Sequence, residues 1–180
     1  MDHGTAPRTL HIARKLLSLM GNIQITDNDG KLLYECAARW SWFARTWHIR
    51  AQGREIARMR RKPFTLVRAW NVDTGDERFV LQDKLFSWRR QVTVRGGSFD
   101  GAVLKGGLLD MRFELSRHGQ IIAKADADLL TLRTRHSIVL LQTSPQAERL
   151  TAILMANLLI QKSDDNQMAG ADPAPHTHQF

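Results

Sequence analysis

The densest cluster of chemistry-bearing side chains lies between Arg39 and Lys62. There Arg39, Arg45, Arg50, Arg54, Arg58, Arg60, Arg61 and Lys62 stand against a single acid, Glu55. Eight minus one is seven charges, nearly all of the formal excess of +8 on the 180-residue chain. Cations at this density attract anionic lipid headgroups, nucleic acid or an acidic protein surface. In a strand, alternate side chains share a face. That places Arg54, Ile56, Arg58, Arg60 and Lys62 on one side and Glu55, Ala57, Met59 and Arg61 on the other. Across a turn at Gly53, Trp47 and Ile49 then point inward, and His48 and Arg50 join the basic side. The candidate anion-binding residues are therefore His48, Arg50, Arg54, Arg58, Arg60 and Lys62, which one hairpin would display as a compact cationic plate. The competing account is a solvated outer face whose long cationic side chains guard against aggregation and bind nothing.

Catalytic chemistry finds little purchase in the sequence. It contains no HExxH, no GxSxG, no CxxC and no phosphate-binding GxxxxGK[ST]. Asp110, Glu114, His118 and His136 could be assembled into an acid–base site on paper, but nothing in their spacing requires it. No catalytic residue, metal or cofactor is assigned. His176 and His178 lie in a polar, proline-bearing terminus, where two imidazoles alone make a weak metal site. The one cysteine, Cys36, excludes an intramolecular disulfide or a cysteine cage and reads as a buried thiol. The tryptophans Trp40, Trp42, Trp47, Trp70 and Trp88 could stack on bases or anchor at a lipid interface. Their periodic placement favours packing inside a fold.

Positioning falls to a repeat. Gly30, Gly53, Gly75, Gly97 and Gly119 are separated by 23, 22, 22 and 22 residues. Around four of them, IQITDNDGKLLY, HIRAQGREIA, WNVDTGDERFV and FELSRHGQIIA each set a polar turn between two short apolar–polar alternations, the signature of a β-hairpin. Glycine belongs there because tight hairpin turns need positive φ. Links with large apolar residues around Ser or Thr recur between the hairpins: KLLSLM, RWSWFAR, KPFTLVR, KLFSWRR and DLLTLRT. Ten or more strands at this spacing predict an all-β barrel or sandwich. The glycine-rich VTVRGGSFDGAVLKGGLLDM reads as a bulge or sharp corner rather than a phosphate loop.

After the strands comes SPQAERLTAILMANLLIQK, with Ser144 as N-cap, Pro145 at the first helical position and Glu148 in the first turn. From Leu150 to Ile160 the segment is apolar on nearly every face, so a helix there has to be surrounded. Eleven residues span only about 16 Å as a helix, too short for a bilayer, so the expected place is inside the sheet. If the helix fills the lumen, ligands are met outside. The expected division is a lead-in at 1–14, one domain at 15–162 and a disordered tail at 163–180. No secretory signal is read at the N-terminus.

KLLSL at Lys15, ITDNDGKLLYE, IRAQGREIARMRRK, KLFSW at Lys84, FELSRHGQIIAKA and the apolar terminal helix, in that order, resemble the LURP-one-related family. Its fold is that of the tubby C-terminal domain and of the phospholipid scramblases. The resemblance runs from about Lys15 to Lys162. It implies a closed antiparallel barrel of about twelve strands around a buried hydrophobic C-terminal helix. Many family members have no assigned biochemical role, while tubby-like domains bind phosphoinositide headgroups and scramblases act at bilayers. The scramblases' cysteine-rich palmitoylation segment and membrane-spanning stretch are missing, which argues against lipid scrambling. The expectation is a non-enzymatic, cytoplasmic binding module, peripheral at a membrane, that docks on anionic lipid through the Gly53 hairpin. A nucleic-acid-associated protein and a protein scaffold are the alternatives.

Overall fold

Alternating burial follows directly from the period-two pattern in the computed structural model, which describes residues 8–13, 23–41, 44–84, 90–107, 112–125 and 135–169. In chain order the strands are β1 (Arg8–Ala13), β2 (Ile23–Thr26), β3 (Leu32–Ser41), β4 (Ala44–Ala51), β5 (Arg54–Arg61) and β6 (Ala69–Asp73). They continue with β7 (Arg78–Asp83), β8 (Gln91–Arg95), β9 (Val103–Gly107), β10 (Arg112–Arg117), β11 (Gln120–Ala125) and β12 (Arg135–Leu140), followed by the helix α1 (Pro145–Ala169). Each strand pairs antiparallel with its sequence neighbour. β1 pairs with β12 from Arg8↔Leu140 to Ala13↔Arg135, closing a twelve-stranded barrel.

The glycine period is one two-strand unit. In Gln52–Gly53 and His118–Gly119, the two residues that join β4 to β5 and β10 to β11, both members have positive φ. A two-residue hairpin that matches strand twist needs this conformation, and glycine adopts it without a Cβ penalty. The Gly97 segment is a turn in which acids already occupy two of the amides. Asp100 accepts from the Gly96 N–H at 2.6 Å and Glu77 from the Ser98 N–H at 2.6 Å, so it offers no open phosphate cradle.

Every glycine turn lies at one end of the barrel, and the connections β3–β4, β5–β6 and β7–β8 lie at the other. The helix runs between the two ends inside the sheet. Leu150, Ala152, Ile153, Leu154, Met155, Ala156, Leu158 and Ile160 are all buried, and they share one core with Trp47, Met59, Trp70, Leu81, Leu104 and Leu115 of the strands. The polar residues enclosed with them are bonded locally. Thr151 Oγ1 donates to the Ala147 carbonyl at 2.8 Å, and Gln161 Nε2 donates to Asn157 Oδ1 at 2.8 Å. At the glycine-turn end, Ser144 Oγ caps the helix by accepting from the Ala147 N–H at 3.2 Å. Glu148 accepts from Arg8 at 2.7 Å and from the Tyr34 hydroxyl at 2.9 Å, tying the first helical turn to β1 and β3.

Two expected boundaries move. The lead-in at 1–14 carries β1, the strand that closes the barrel; its basic flanks hid the alternation in RTLHIA. The helix passes the expected start of the tail at 163 and ends at Ala169, with Asp164 meeting Arg45 of β4 and Asp165 meeting Arg68 of the β5–β6 loop. KLLSLM, DLLTLRT, Trp42, Trp88, Asp110, His176 and His178 lie outside the described residues.

Candidate functional site

β4 and β5 carry the candidate cations, but not as one plate. Between Ile49 and Arg50 the register shifts: Ile49 pairs with Ala57 and Arg50 with Glu55, so Ile56 is the extra residue of a bulge. A bulge inverts the phase of what precedes it. Ile56 therefore packs against the core, and Glu55, expected inside, lies on the outer face. There the Glu55 carboxylate stands 2.7 Å from His48 Nδ1 and accepts from Arg58 Nε. Partial burial pushes the Glu55 carboxyl up, but the hydrogen bonds from His48 and Arg58 outweigh it and leave it below the usual range. Arg50 stands opposite Glu55, and Arg58 stands opposite Asp73, whose other neighbour Arg78 donates to it at 3.0 Å. Half of the expected plate is thus a mixed-charge lattice.

The remaining candidates separate along the strand. Arg54 sits at the Gly53 turn, while Arg60 and Lys62 sit at the opposite end, about 20–26 Å away at strand rise. Arg60 faces Thr46 and Asn71, with no acid in register.

At that far end the barrel opens into a cavity of about 400 Å³ lined by Arg45, Trp47, Arg60, Arg61, Lys62, Pro63, Phe64, Thr65, Trp70 and Asp164. Among the described lining residues, four cations stand beside one carboxylate. Two of the four, Arg45 and Arg61, were not among the candidates. Both fall on inward positions, beside Trp47 and opposite Trp70, but at strand ends where the lumen meets solvent. An inward-phased arginine directly before a Lys-Pro turn was the signal available for Arg61.

The electrostatics of this mouth is set by the helix end. Arg45 lies over the Trp47 ring at 4.4 Å and 3.7 Å from Asp164. Burial pushes the Asp164 carboxyl up against the pull of Arg45, Arg61 and Arg68. Arg68 donates to Asp165 at 2.5 Å, a bond that holds Asp165 below the ordinary range. Deeper, Asp83 accepts from Gln161 at 3.3 Å and lies 3.8 Å from Arg90, and its own burial pushes its carboxyl up. In the cavity wall the Trp70 ring is buried with no acceptor on its Nε1–H among the described residues. An oxyanion there would meet guanidinium groups.

The other candidates do not converge. Glu114 and His118 are exposed on β10 and its turn, and the side chain of His136 is not described. Among the described residues no group of three His, Cys, Asp or Glu could hold a metal ion. Trp47 and Trp70 are enclosed, at 2% and 3% exposure, which removes both as platforms for stacking bases. Cys36 is buried, and burial pushes its thiol up to about 12. Among the described residues no helix is long and apolar enough to cross a membrane.

Compared with known protein families, residues 8–144 match the family model described as LURP-one-related. No curated protein and no solved structure matches the chain.

Proposed function

The chain belongs to the LURP-one-related family, and from that premise we propose that it is a non-enzymatic docking module for the phosphate headgroups of anionic lipids, engaged through the open end of the barrel. The observation that carries this reading is the mouth itself: Arg45, Arg60, Arg61 and Lys62 around one cavity, with Asp164 as the carboxylate among its described lining residues. No acidic residue occurs from Ile56 to Val72, so the surroundings of the mouth add to its field. The helix fills the lumen, so a ligand meets the protein at this rim. Its place is then peripheral, on the acidic cytoplasmic leaflet, where each cation near the surface contributes about 1 kcal/mol.

Vesicle co-sedimentation tests the reading. Phosphatidylcholine vesicles with added phosphatidylserine or phosphoinositide should carry the protein down and neutral vesicles should not, with binding that weakens as salt rises. Arg60→Glu/Lys62→Glu reverses two charges and should reduce binding by about 100-fold or more without changing the melting temperature. Equal partition into neutral and anionic vesicles rejects the proposal.

A further inference from the structure

The loop between β5 and β6, residues 62–68, carries the two most exposed large apolar side chains among the described residues. Phe64 is 106% exposed and Leu66 98%, whereas the other exposed large apolar residues, Leu32, Ile121 and Leu141, reach only 44%, 37% and 44%. Phe64 also holds φ at +54°, a left-handed backbone that bulky side chains avoid and glycine adopts freely. Solvation and backbone conformation thus both oppose a phenylalanine at the tip.

The base of the loop is fixed. Lys62 N–H donates to the Ala69 carbonyl at 2.8 Å, Asp83 N–H donates to the Arg68 carbonyl at 2.9 Å, and the Arg68 side chain is anchored on Asp165. What projects is a four-residue tip, Pro63 to Leu66, with Arg60, Arg61 and Lys62 on one side and Arg68 on the other. We propose that this tip is a membrane wedge: Phe64 and Leu66 enter the boundary between headgroups and acyl chains of an anionic bilayer while the cations beside them hold lipid phosphates. The inference rests on the headgroup reading above and adds the bilayer to it.

Charge and area select this occupant. Two apolar side chains ringed by cations match the layered polarity of an acidic membrane surface, apolar within and anionic at the rim. A protein groove or a second copy of the chain would need roughly 800 Å² of covered surface on each partner, far more than a four-residue tip offers. Self-pairing would also bring two cationic mouths together.

The full-length chain is tested by flotation with phosphatidylcholine–phosphatidylserine vesicles and by titration with a soluble probe, glycerophosphoinositol bisphosphate. Leu66→Ser should lower vesicle partition about 10-fold and leave the soluble probe's affinity within two-fold. Leu66→Trp should raise partition. Phe64→Gly removes an apolar side chain and relieves the left-handed backbone, so it should keep or raise the melting temperature while lowering vesicle partition by a similar factor. Vesicle partition unchanged in both Leu66→Ser and Phe64→Gly, but lost in Arg60→Glu/Lys62→Glu, overturns the wedge and leaves the headgroup reading standing. Loss of the soluble probe in Leu66→Ser makes the loop part of the anion site and also overturns the wedge. Concentration-dependent dimerisation abolished by Leu66→Ser, with vesicle partition unaffected, assigns the tip to self-association. Wild-type protein that binds neither vesicles nor probe ends both proposals.

Discussion

Truncating Leu154 to alanine probes whether the apolar helix is enclosed by the sheet. Leu154 is 0% exposed, so the substitution removes buried methyl groups and leaves a void. Leu→Ala at such sites costs about 2.7–5 kcal/mol, and the upper part applies where the surroundings relax least. The surroundings here are a closed barrel in which every strand is hydrogen-bonded on both sides, so no edge can slide inward to fill the space. That puts the cost near about 4 kcal/mol. For a domain of this size, each kcal/mol lowers the melting temperature by about 2–4 °C, giving a drop of roughly 8–16 °C. Leu159, on the same helix but only partly buried, is the internal control: Leu159→Ala should cost about 1–2 kcal/mol. Urea unfolding followed in parallel by circular dichroism and tryptophan fluorescence supplies the free energies, with coincident transitions establishing two-state behaviour. A Leu154→Ala cost below about 1 kcal/mol, or no larger than that of Leu159→Ala, would refute the enclosed-helix argument.

Three further outcomes follow from particular contacts. Because burial raises the Cys36 thiol to about 12, Ellman's reagent should find no reactive thiol in the native protein at pH 8 and one in denaturant; rapid native labelling would contradict the burial. Asp76 accepts from Arg149 at 2.9 Å, and that bond, with help from Thr74, lowers its carboxyl from 3.8 to about 2. Since the folded value is depressed, the stability from this contact is complete above the unfolded value and disappears as pH falls from about 4 toward 2. A carbon-detected NMR titration should place Asp76 near 2 in the native chain and higher in Arg149→Leu, short of its ordinary value because the Thr74 bond remains; identical titrations in both would contradict the assignment. Glu55 is about 23 Å of strand from Lys62, more than twice the screening length of about 8–10 Å. Glu55→Gln should therefore leave anionic-vesicle binding within two-fold, and a rise of about five-fold would move the ligand from the mouth to the hairpin face.

Much of the architecture was legible because its signals are local. Gly53 and Gly119 mark turns that need left-handed backbone, and Ser144, Pro145 and Glu148 mark a helix start, so both could be read without knowing what they pack against. The bulge at Ile56 was not legible, since a strand's text does not say where an extra residue will be tolerated, and one such residue moved Glu55 from the lumen to the outer face. The mouth was hidden for a different reason. Arg45, Arg61 and Asp164 come together only when the barrel closes and the helix runs its full length, and no spacing in the sequence records a meeting between strand ends and a helix end. β1 was missed because six alternating residues among basic neighbours do not announce that their partner lies more than a hundred residues away.

That last pairing makes the order of assembly a matter of timing. During synthesis β1 emerges before the other strands, yet the strand that covers one of its sides, β12, is the last strand of the sheet to leave the ribosome. Until then the nascent sheet has two bare rims and no filling, since the helix follows directly after β12. Rapid local zippering of hairpins should be succeeded by a slow, late seam, because distant pairings carry the cost of closing a long loop. A chain cut before Arg135 would keep both rims open, the condition under which sheets recruit strands from their neighbours.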